Sequence, residues 1–167
     1  MITDTGHIVR TAVQREDFVR IVLVGQSALQ KIALSPVVVI AEGYATAASI
    51  AKHGKVPAIA AFDSGNLAAV AIAHRERHKD QQIIIAGDDD HRLEHNPGHA
   101  KALEATAAVK GLAVFPKLSA EQREQGLTDF NDVARQDPEL ITRQFEDVIR
   151  RGREQSPTQA IELAHTI

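Results

Sequence analysis

Residues 82–91, which read QIIIAGDDDH, constrain the fold more than any other stretch of the chain. The three isoleucines at 83–85 form a short β-branched run between polar residues, which is typical of a strand buried on both faces of a sheet. A glycine ends this strand and three aspartates follow it. In an extended backbone, Asp88 and Asp90 point to one side of the strand and Asp89 points to the other.

Two interpretations of this acidic segment are open at this point. Two carboxylates on one side raise each other's pKa unless a cation lies between them. Oxygen ligands of this kind suit Mg²⁺ or Mn²⁺, which keep several waters and often bring in a phosphate. The alternative is an acidic surface turn whose charges are solvated by water.

Composition excludes several classes of protein. The chain has 167 residues, of which 44% are hydrophobic, and this suits one globular domain with a core. It has no cysteine, which excludes disulfides, thiolate zinc sites and cysteine nucleophiles. Aromatic residues make up 4% and the net charge is −3, so we expect no platform that stacks several bases and only local contact with nucleic acid.

Targeting signals are also missing from the sequence. No apolar run approaches the roughly 18 residues of a membrane span, and the N-terminus does not have the apolar region of a signal peptide. We therefore expect a soluble, cytoplasmic protein with no membrane partner.

Strand and helix patterns alternate along the chain. The four predicted strands are residues 36–42, 56–63, 82–87 and 112–116. The predicted helices are residues 44–53, 67–78, 99–110 and 138–155, with a further helix that starts within 128–132. This alternation predicts an α/β fold with about four parallel strands, right-handed crossovers and helices on both faces of the sheet.

The remaining segments predict the domain boundaries. Residues 1–34 are interpreted as an N-terminal extension that packs on the domain edge, with a β-prone stretch at 21–24 and a short helix at 27–33. Residues 35–155 form the predicted domain, and residues 156–167 are interpreted as a tail.

Acidic residues follow the ends of all the predicted strands. They are Glu42, Asp63, Asp88, Asp90 and, after a loop, Asp129 and Asp132, with the polar residue Asn131 between the last two. Because parallel strands end at one edge of a sheet, that edge collects five or more acids, and a divalent metal is the economical explanation. Each residue also has a simpler interpretation, such as Glu42 complementing a helix dipole.

Two further features could contact phosphates or nucleic acid. Gly98 leads into a predicted helix, where free backbone N–H groups can bind a phosphate, although an Asn-Pro-Gly sequence is usually a turn. Several basic residues lie at the end of the helix at 67–78 and along the helix at 138–155. A solvated surface is the favoured interpretation for these groups.

Five blocks of the sequence, in order, resemble one known family. They are EGYATAASIAKHG, AAFDSGNLAAVA, IIIAGDDD, NPGHAKALEA and TDFNDVA, spanning about residues 37–133. Glu-Gly after one strand and Asp-x-Asp after another form the toprim signature of primases, topoisomerases and certain nucleases. The five blocks together are similar to the Rossmann-like toprim domain of plasmid- and phage-encoded DNA primases, the kind associated with conjugative transfer.

The resemblance implies a chemistry and a set of site residues. Members of the family join nucleotides or cleave phosphodiesters with Mg²⁺, for which Mn²⁺ can substitute. The implied catalytic residues are Glu42, Asp88 and Asp90, and the implied metal ligands are these three with Asp129 and Asp132. Lys101, Arg92 and Gly98 are the residues implied to hold nucleotide phosphates.

Several features depart from the family pattern. Such primases usually carry a zinc-binding module or another N-terminal region and a fused helicase or helical domain, whereas this chain has no cysteine. Tyr44, the only tyrosine, is badly placed for the tyrosine chemistry of topoisomerases. We therefore expect either a domain excised from a larger enzyme or a stand-alone protein that needs a partner.

Three functions compete on the sequence alone. The favoured function is a primase-type toprim domain that makes RNA primers on single-stranded DNA from nucleoside triphosphates, together with other primase or helicase domains or replication proteins. The second is a toprim nuclease with the same acidic residues. The third is a non-catalytic module that binds DNA or a replication protein.

Overall fold

The structure is a computed structural model that describes residues 8–10, 20–23 and 28–154. The predicted tail at 156–167 and most of the predicted N-terminal extension lie outside these residues. The boundaries predicted at residues 34 and 155 stay predictions.

The described strands are β1 (Ile8–Arg10), β2 (Arg20–Leu23), β3 (Val37–Ala41), β4 (Ala58–Ala60), β5 (Gln82–Ala86) and β6 (Leu112–Val114). They form one six-stranded sheet in the order β1-β2-β4-β3-β5-β6. The four strands β3 to β6 pair in parallel, which confirms the predicted four-stranded parallel sheet. β1 and β2 extend the sheet beyond β4 with antiparallel pairs that the sequence did not predict.

Seven described helices connect or follow these strands. They are α1 (Ala28–Leu34), α2 (Tyr44–His53), α3 (Leu67–Arg77), α4 (Pro97–Val109), α5 (Ala120–Gln125), α6 (Phe130–Gln136) and α7 (Pro138–Glu154). A short 3₁₀ turn, Ser64–Asn66, lies between β4 and α3. No helix in the described ranges is both long and apolar enough to cross a membrane.

The sheet has a hydrophobic core on each face, because successive residues of a strand point to opposite sides. In β3, Val37, Val39 and Ala41 pack with α2, α6 and α7 on one face. Val38 and Ile40 pack with α3 and α4 on the other. The α/β architecture with helices on both faces is therefore confirmed.

One predicted loop contains a helix. Residues 117–127 were predicted as a polar loop, but α5 occupies residues 120–125 of it. The helix begins with a capping box in which the Ser119 hydroxyl accepts the Gln122 N–H at 3.2 Å. The Gln122 side chain accepts the Ser119 N–H at 3.0 Å in return. The Ser-x-x-Gln pattern in the sequence favours the start of a helix, whereas the polar composition of this segment had indicated a loop.

A cavity of about 650 Å³ lies at the amino end of β4, where its lining includes Lys31, Leu34, Lys55 and Pro57. The acidic residues follow the carboxyl ends of the parallel strands, so this cavity belongs to the other edge of the sheet.

Candidate metal centre

The carboxyl ends of β3 and β5 lie side by side and carry two of the predicted acids. Ala41 pairs with Ala86 at the last position of the two strands. Glu42 follows β3 directly, and Asp88 follows β5 after one glycine. The parallel pairing therefore brings these carboxylates to the same edge, as the sequence predicts.

Gly87 allows the end of β5 to pack closely against its surroundings. A Cβ at this position would lie 2.5 Å from Ala102 Cβ in α4 and 2.5 Å from Phe115 Cε1. Any larger residue would push α4 or Phe115 away from the strand, and the aspartates that follow would move with it.

Among the acids at this edge of the sheet, Asp88 has the pKa that departs most from its ordinary value. Its Oδ1 atom is buried and has no hydrogen-bond partner among the described residues. Burial, and after it the negative charges of Glu42, Asp129, Asp90 and Asp132 in that order of importance, together raise the pKa of Asp88 to about 7. The ionised form of a buried carboxylate among four other acids is unfavourable unless a positive charge lies close to it.

Glu42 is affected by the same group of acids. Burial raises the pKa of Glu42, and the charges of Asp90 and Asp63 add to this increase. A hydrogen bond from the Ser64 N–H opposes the increase, while Asp129 contributes a smaller increase. Asp63 itself is exposed and accepts the Gly65 N–H at 2.8 Å, so it also starts the 3₁₀ turn.

Asp129 and Asp132 lie at the start of α6 and are held by hydrogen bonds. Asp129 is the N-cap of the helix, and its Oδ1 accepts the Asp132 N–H at 2.7 Å. Its Oδ2 accepts the hydroxyl of Thr46, a buried residue of α2, at 2.7 Å. Asp132 Oδ2 accepts the Thr128 N–H at 3.0 Å. These contacts fix both carboxylates beside the ends of β3 and β5.

Asp90 is oriented by the loop that leads into α4. Its Oδ2 accepts the Gly98 N–H at 3.0 Å, and its own N–H donates to Asn96 Oδ1 at 2.9 Å. A Cβ on Gly98 would lie 2.7 Å from Asp90 Oδ2 and 3.3 Å from Asp88 Cβ. The glycine therefore lets the helix approach the two aspartates.

Asp89 has different partners from its two neighbours, as the alternation of side chains predicts. Its buried carboxylate forms a 2.6 Å ion pair with Arg123 of α5 and accepts the Asn96 side-chain amide at 2.8 Å. The Asp89 N–H donates to the Thr128 carbonyl at 2.8 Å. Asp89 thus links the loops before α4 and α6 to α5.

The three residues predicted to hold phosphates have other contacts in the structure. Lys101 Nζ lies 2.7 Å from Glu104 Oε2, in an exposed pair on α4. The exposed guanidinium of Arg92 donates to the carbonyls of Arg123 and Glu124, and the Gly98 N–H donates to Asp90. Lys101 and Arg92 thus pair with groups outside the five candidate metal ligands, and phosphate binding by all three residues stays a prediction.

The arginines of α7 also have acidic partners. Arg143 lies 3.1 Å from Asp137, and both Arg150 and Arg151 pair with Asp147 at 2.5 Å and 2.6 Å. Pairs of this kind suit the interpretation of this helix face as a solvated surface.

The donor set of the acidic edge fits a hard divalent cation. The candidate ligands, which are Glu42, Asp88, Asp90, Asp129 and Asp132, offer only oxygen atoms, and Asp88 Oδ1 has no other described partner. Within the described ranges, no group of three or more His, Cys, Asp or Glu side chains is arranged so that it could hold a metal ion. Mg²⁺ keeps several waters and binds through one or two carboxylates plus phosphate oxygens, and binding of Mg²⁺ at this edge stays a prediction.

Comparison with known proteins identifies the family. A family model described as "Toprim domain" matches residues 37–139, which is more than half of the chain. The chain belongs to the Toprim domain family. This match covers the parallel strands, the acidic edge and the start of α7.

Two curated relatives are each named "DNA primase TraC", both from Escherichia coli. The toprim chain is 48% identical to one of them over 92 residues, which is 53% of this chain and 9% of the relative. It is 49% identical to the other over 92 residues, or 53% of this chain and 6% of that relative. The matched region therefore spans less than a tenth of the length of either relative. No solved structure matches the chain with significant similarity.

The sequence did not predict that three further residues contact the acids of the site. Thr46 was considered only as part of a helix, Asn96 only as part of a turn, and Arg123 only as part of a polar loop. An Asx residue just before a Pro-initiated helix is a recognisable N-cap signal, so Asn96 could have been found. Thr46 and Arg123 contact acids far away in the sequence, and no local pattern indicates such contacts.

Proposed function

We propose that this chain is the Mg²⁺-dependent nucleotidyl-transfer domain of a DNA primase, one that synthesises RNA primers on single-stranded DNA in plasmid or phage replication or in conjugation. The resemblance to proteins named DNA primase supports the reaction class. The observation that carries the metal dependence is the buried Oδ1 of Asp88, which has no hydrogen-bond partner in the described part of the chain and lies among four other carboxylates.

The acidic residues have separate proposed roles. Asp88 and Asp90 would hold the metal, while Asp129 and Asp132 could complete a second acidic site. A metal bound there supplies positive charge that stabilises the developing negative charge of phosphoryl transfer. Glu42 is the proposed proton acceptor for the attacking hydroxyl, or else a further ligand, because its raised pKa brings proton exchange closer to neutral pH.

The proposed partners follow from the reaction. They are single-stranded DNA, nucleoside triphosphates and other primase or helicase domains or replication proteins, and the reaction belongs in the cytoplasm. Because the matched region spans less than a tenth of either relative, activity that depends on added domains is part of the proposal.

Primer synthesis on a single-stranded template tests this function. The chain is incubated with labelled nucleoside triphosphates and Mg²⁺ or Mn²⁺, with and without candidate helicase or primase domains. We expect short labelled products that need both template and triphosphates and that disappear in Asp90→Asn. This variant can keep the hydrogen bond from Gly98, so it should fold. Glu94→Gln, at an exposed acid of the same loop, is the matched control and should leave synthesis unchanged.

Two outcomes would contradict the primase assignment. Cleavage of labelled single strands without any triphosphate would indicate a toprim nuclease. If the chain binds DNA or a replication protein but gives neither product under any of these conditions, it is a non-catalytic module.

A further inference from the structure

The loop between β5 and α4 carries a hydrogen-bond network around Asp90 that includes Asn96 and Asp89, neither of which is a candidate metal ligand. Asn96 Oδ1 accepts the Asp90 N–H at 2.9 Å and the His99 N–H at 3.3 Å. The other end of the same side chain, Nδ2, donates to Asp89 Oδ1 at 2.8 Å. The Asn96 side chain therefore contacts both the Asp89 carboxylate and the Asp90 backbone N–H.

The backbone of Asn96 is suited to this contact. Asn96 has φ 40° and ψ 73°, in the left-handed region that asparagine tolerates better than most residues. This conformation turns the chain directly before Pro97 and Gly98 start α4. The Gly98 N–H then reaches Asp90 Oδ2 at 3.0 Å, so the turn at Asn96 also places the donor that orients the carboxylate.

Asp89 and Arg123 hold Asn96 in place. Asp89 is buried, and its second oxygen forms a 2.6 Å ion pair with Arg123. His91 strengthens the same connection, because its two ring nitrogens lie 2.8 Å from the Asp89 carbonyl oxygen and 3.1 Å from the Arg123 carbonyl oxygen. A buried carboxylate with a cation and an amide donor has little freedom to rotate.

We propose that Asn96, held by Asp89 and Arg123, is a positioning residue that fixes Asp90 for metal binding. The inference rests on the proposed function, in which Asp88 and Asp90 hold the metal. Contacts of this kind orient ligands before the metal arrives, and their loss commonly weakens metal affinity about 10–100-fold.

Removal of the Asn96 side chain tests the inference through Mn²⁺ affinity, measured by calorimetry or EPR on the full chain. Asn96→Gly is the preferred variant because glycine accepts the left-handed backbone, so only the side-chain hydrogen bonds are lost. We expect a loss of about 10-fold or more in affinity. His95→Gly is the matched control, since His95 is also left-handed but is highly exposed, and we expect unchanged affinity.

A reciprocal exchange separates positioning from loss of stability. Asn96→Asp should weaken Mn²⁺ binding because it places a carboxylate opposite Asp89, and Asp89→Asn should weaken it because it removes the ion pair with Arg123. The double variant again has an amide donor facing a carboxylate acceptor, so it should bind Mn²⁺ more tightly than Asn96→Asp alone. If Asn96 only caps α4, Asn96→Gly should lower the melting temperature and leave the Mn²⁺ affinity unchanged. That result would overturn the inference.

Amide hydrogen exchange gives a readout that needs no metal. In Asn96→Gly, the Asp90 and Gly98 amides should exchange faster, while the amides within β5 keep their protection. If the parent binds no Mn²⁺, the proposed function fails, but the exchange data still test whether Asn96 orders Asp90. Unchanged exchange at Asp90 and Gly98 would overturn the positioning role even if the parent binds the metal.

Discussion

Thr46 and Asp129 are 83 residues apart in the sequence, and the Thr46 hydroxyl donates to Asp129 Oδ2 at 2.7 Å. Thr46 is buried in α2, directly after β3, and Asp129 caps α6. The hydrogen bond therefore joins the helix that follows Glu42 to the helix that carries the second pair of acids. One neutral hydroxyl thus helps to hold negative charges together at the edge of the sheet.

Substitution of Thr46 by valine should lower stability. Thr46→Val keeps the shape of the side chain but removes the donor to a carboxylate, and we expect the free energy of unfolding to fall by about 1–3 kcal/mol. Denaturant unfolding measures the change. Thr142→Val is the control, because Thr142 donates at 2.7 Å to the neutral carbonyl of His53, and its loss should cost about 0.5–1.5 kcal/mol. A smaller loss for Thr46→Val than for Thr142→Val would contradict the stabilising role of the contact with Asp129.

Substitution of Gly98 by alanine should separate stability from metal binding. Alanine is the better helix former by up to about 1 kcal/mol, which offsets part of the cost of moving the Asp90 carboxylate, so we expect Gly98→Ala to fold. Its Cβ would lie 2.7 Å from Asp90 Oδ2, which forces the carboxylate to move, and Mn²⁺ affinity should fall. Melting curves and Mn²⁺ titrations on the same samples check both expectations. Unchanged affinity would mean that Asp90 binds the metal in another orientation or not at all.

The acidic edge predicts how stability depends on pH without metal. Burial and the neighbouring negative charges together raise the pKa of Asp88 from 3.8 to about 7, so the folded state binds this proton more tightly than the unfolded state. The free energy of unfolding should therefore be highest near pH 4 and fall as the pH rises to about 7. At about 1.4 kcal/mol per pKa unit, the loss is a few kcal/mol. The raised pKa of Glu42 acts in the same direction.

Asp88→Asn should remove most of this dependence, since asparagine resembles the protonated acid. With a chelator present, we expect the variant to be more stable than the parent at pH 8 and similar to it near pH 4. Urea unfolding across this pH range measures the difference, with Glu146→Gln on the exposed side of α7 as the control. Parallel pH profiles for the parent and Asp88→Asn would contradict the assigned environment of Asp88.

Much of the fold could be predicted because it depends on local patterns. The isoleucines of β5 and the valines of β3 have the continuous apolar character of strands buried on both faces, and both strands are central in the sheet. The apolar face of α7, with Ile141 and Phe145, was equally readable from its spacing. The grouping of Glu42 and Asp88 followed from parallel pairing alone.

The contacts that complete the site could not be predicted in the same way. Arg123 pairs with Asp89 across 34 positions, and this depends on how α5 packs after β6. The antiparallel pairing of β2 with β4 likewise depends on tertiary contacts, since strand propensity does not select a partner or a direction. Phe62 adopts a left-handed backbone with φ 68°, a conformation that no sequence pattern indicates for phenylalanine.

A Mn²⁺ titration of the parent chain and of the double variant Asp88→Ala/Asp90→Ala, by calorimetry or EPR, tests the central claim most directly. We predict saturable binding by the parent that is lost in the double variant, while Glu146→Gln binds like the parent. Equal binding by the parent and the double variant would contradict the claim that the metal is held at the end of β5. Absence of binding in the parent, with and without nucleoside triphosphate, would contradict a metal-dependent function for this acidic edge.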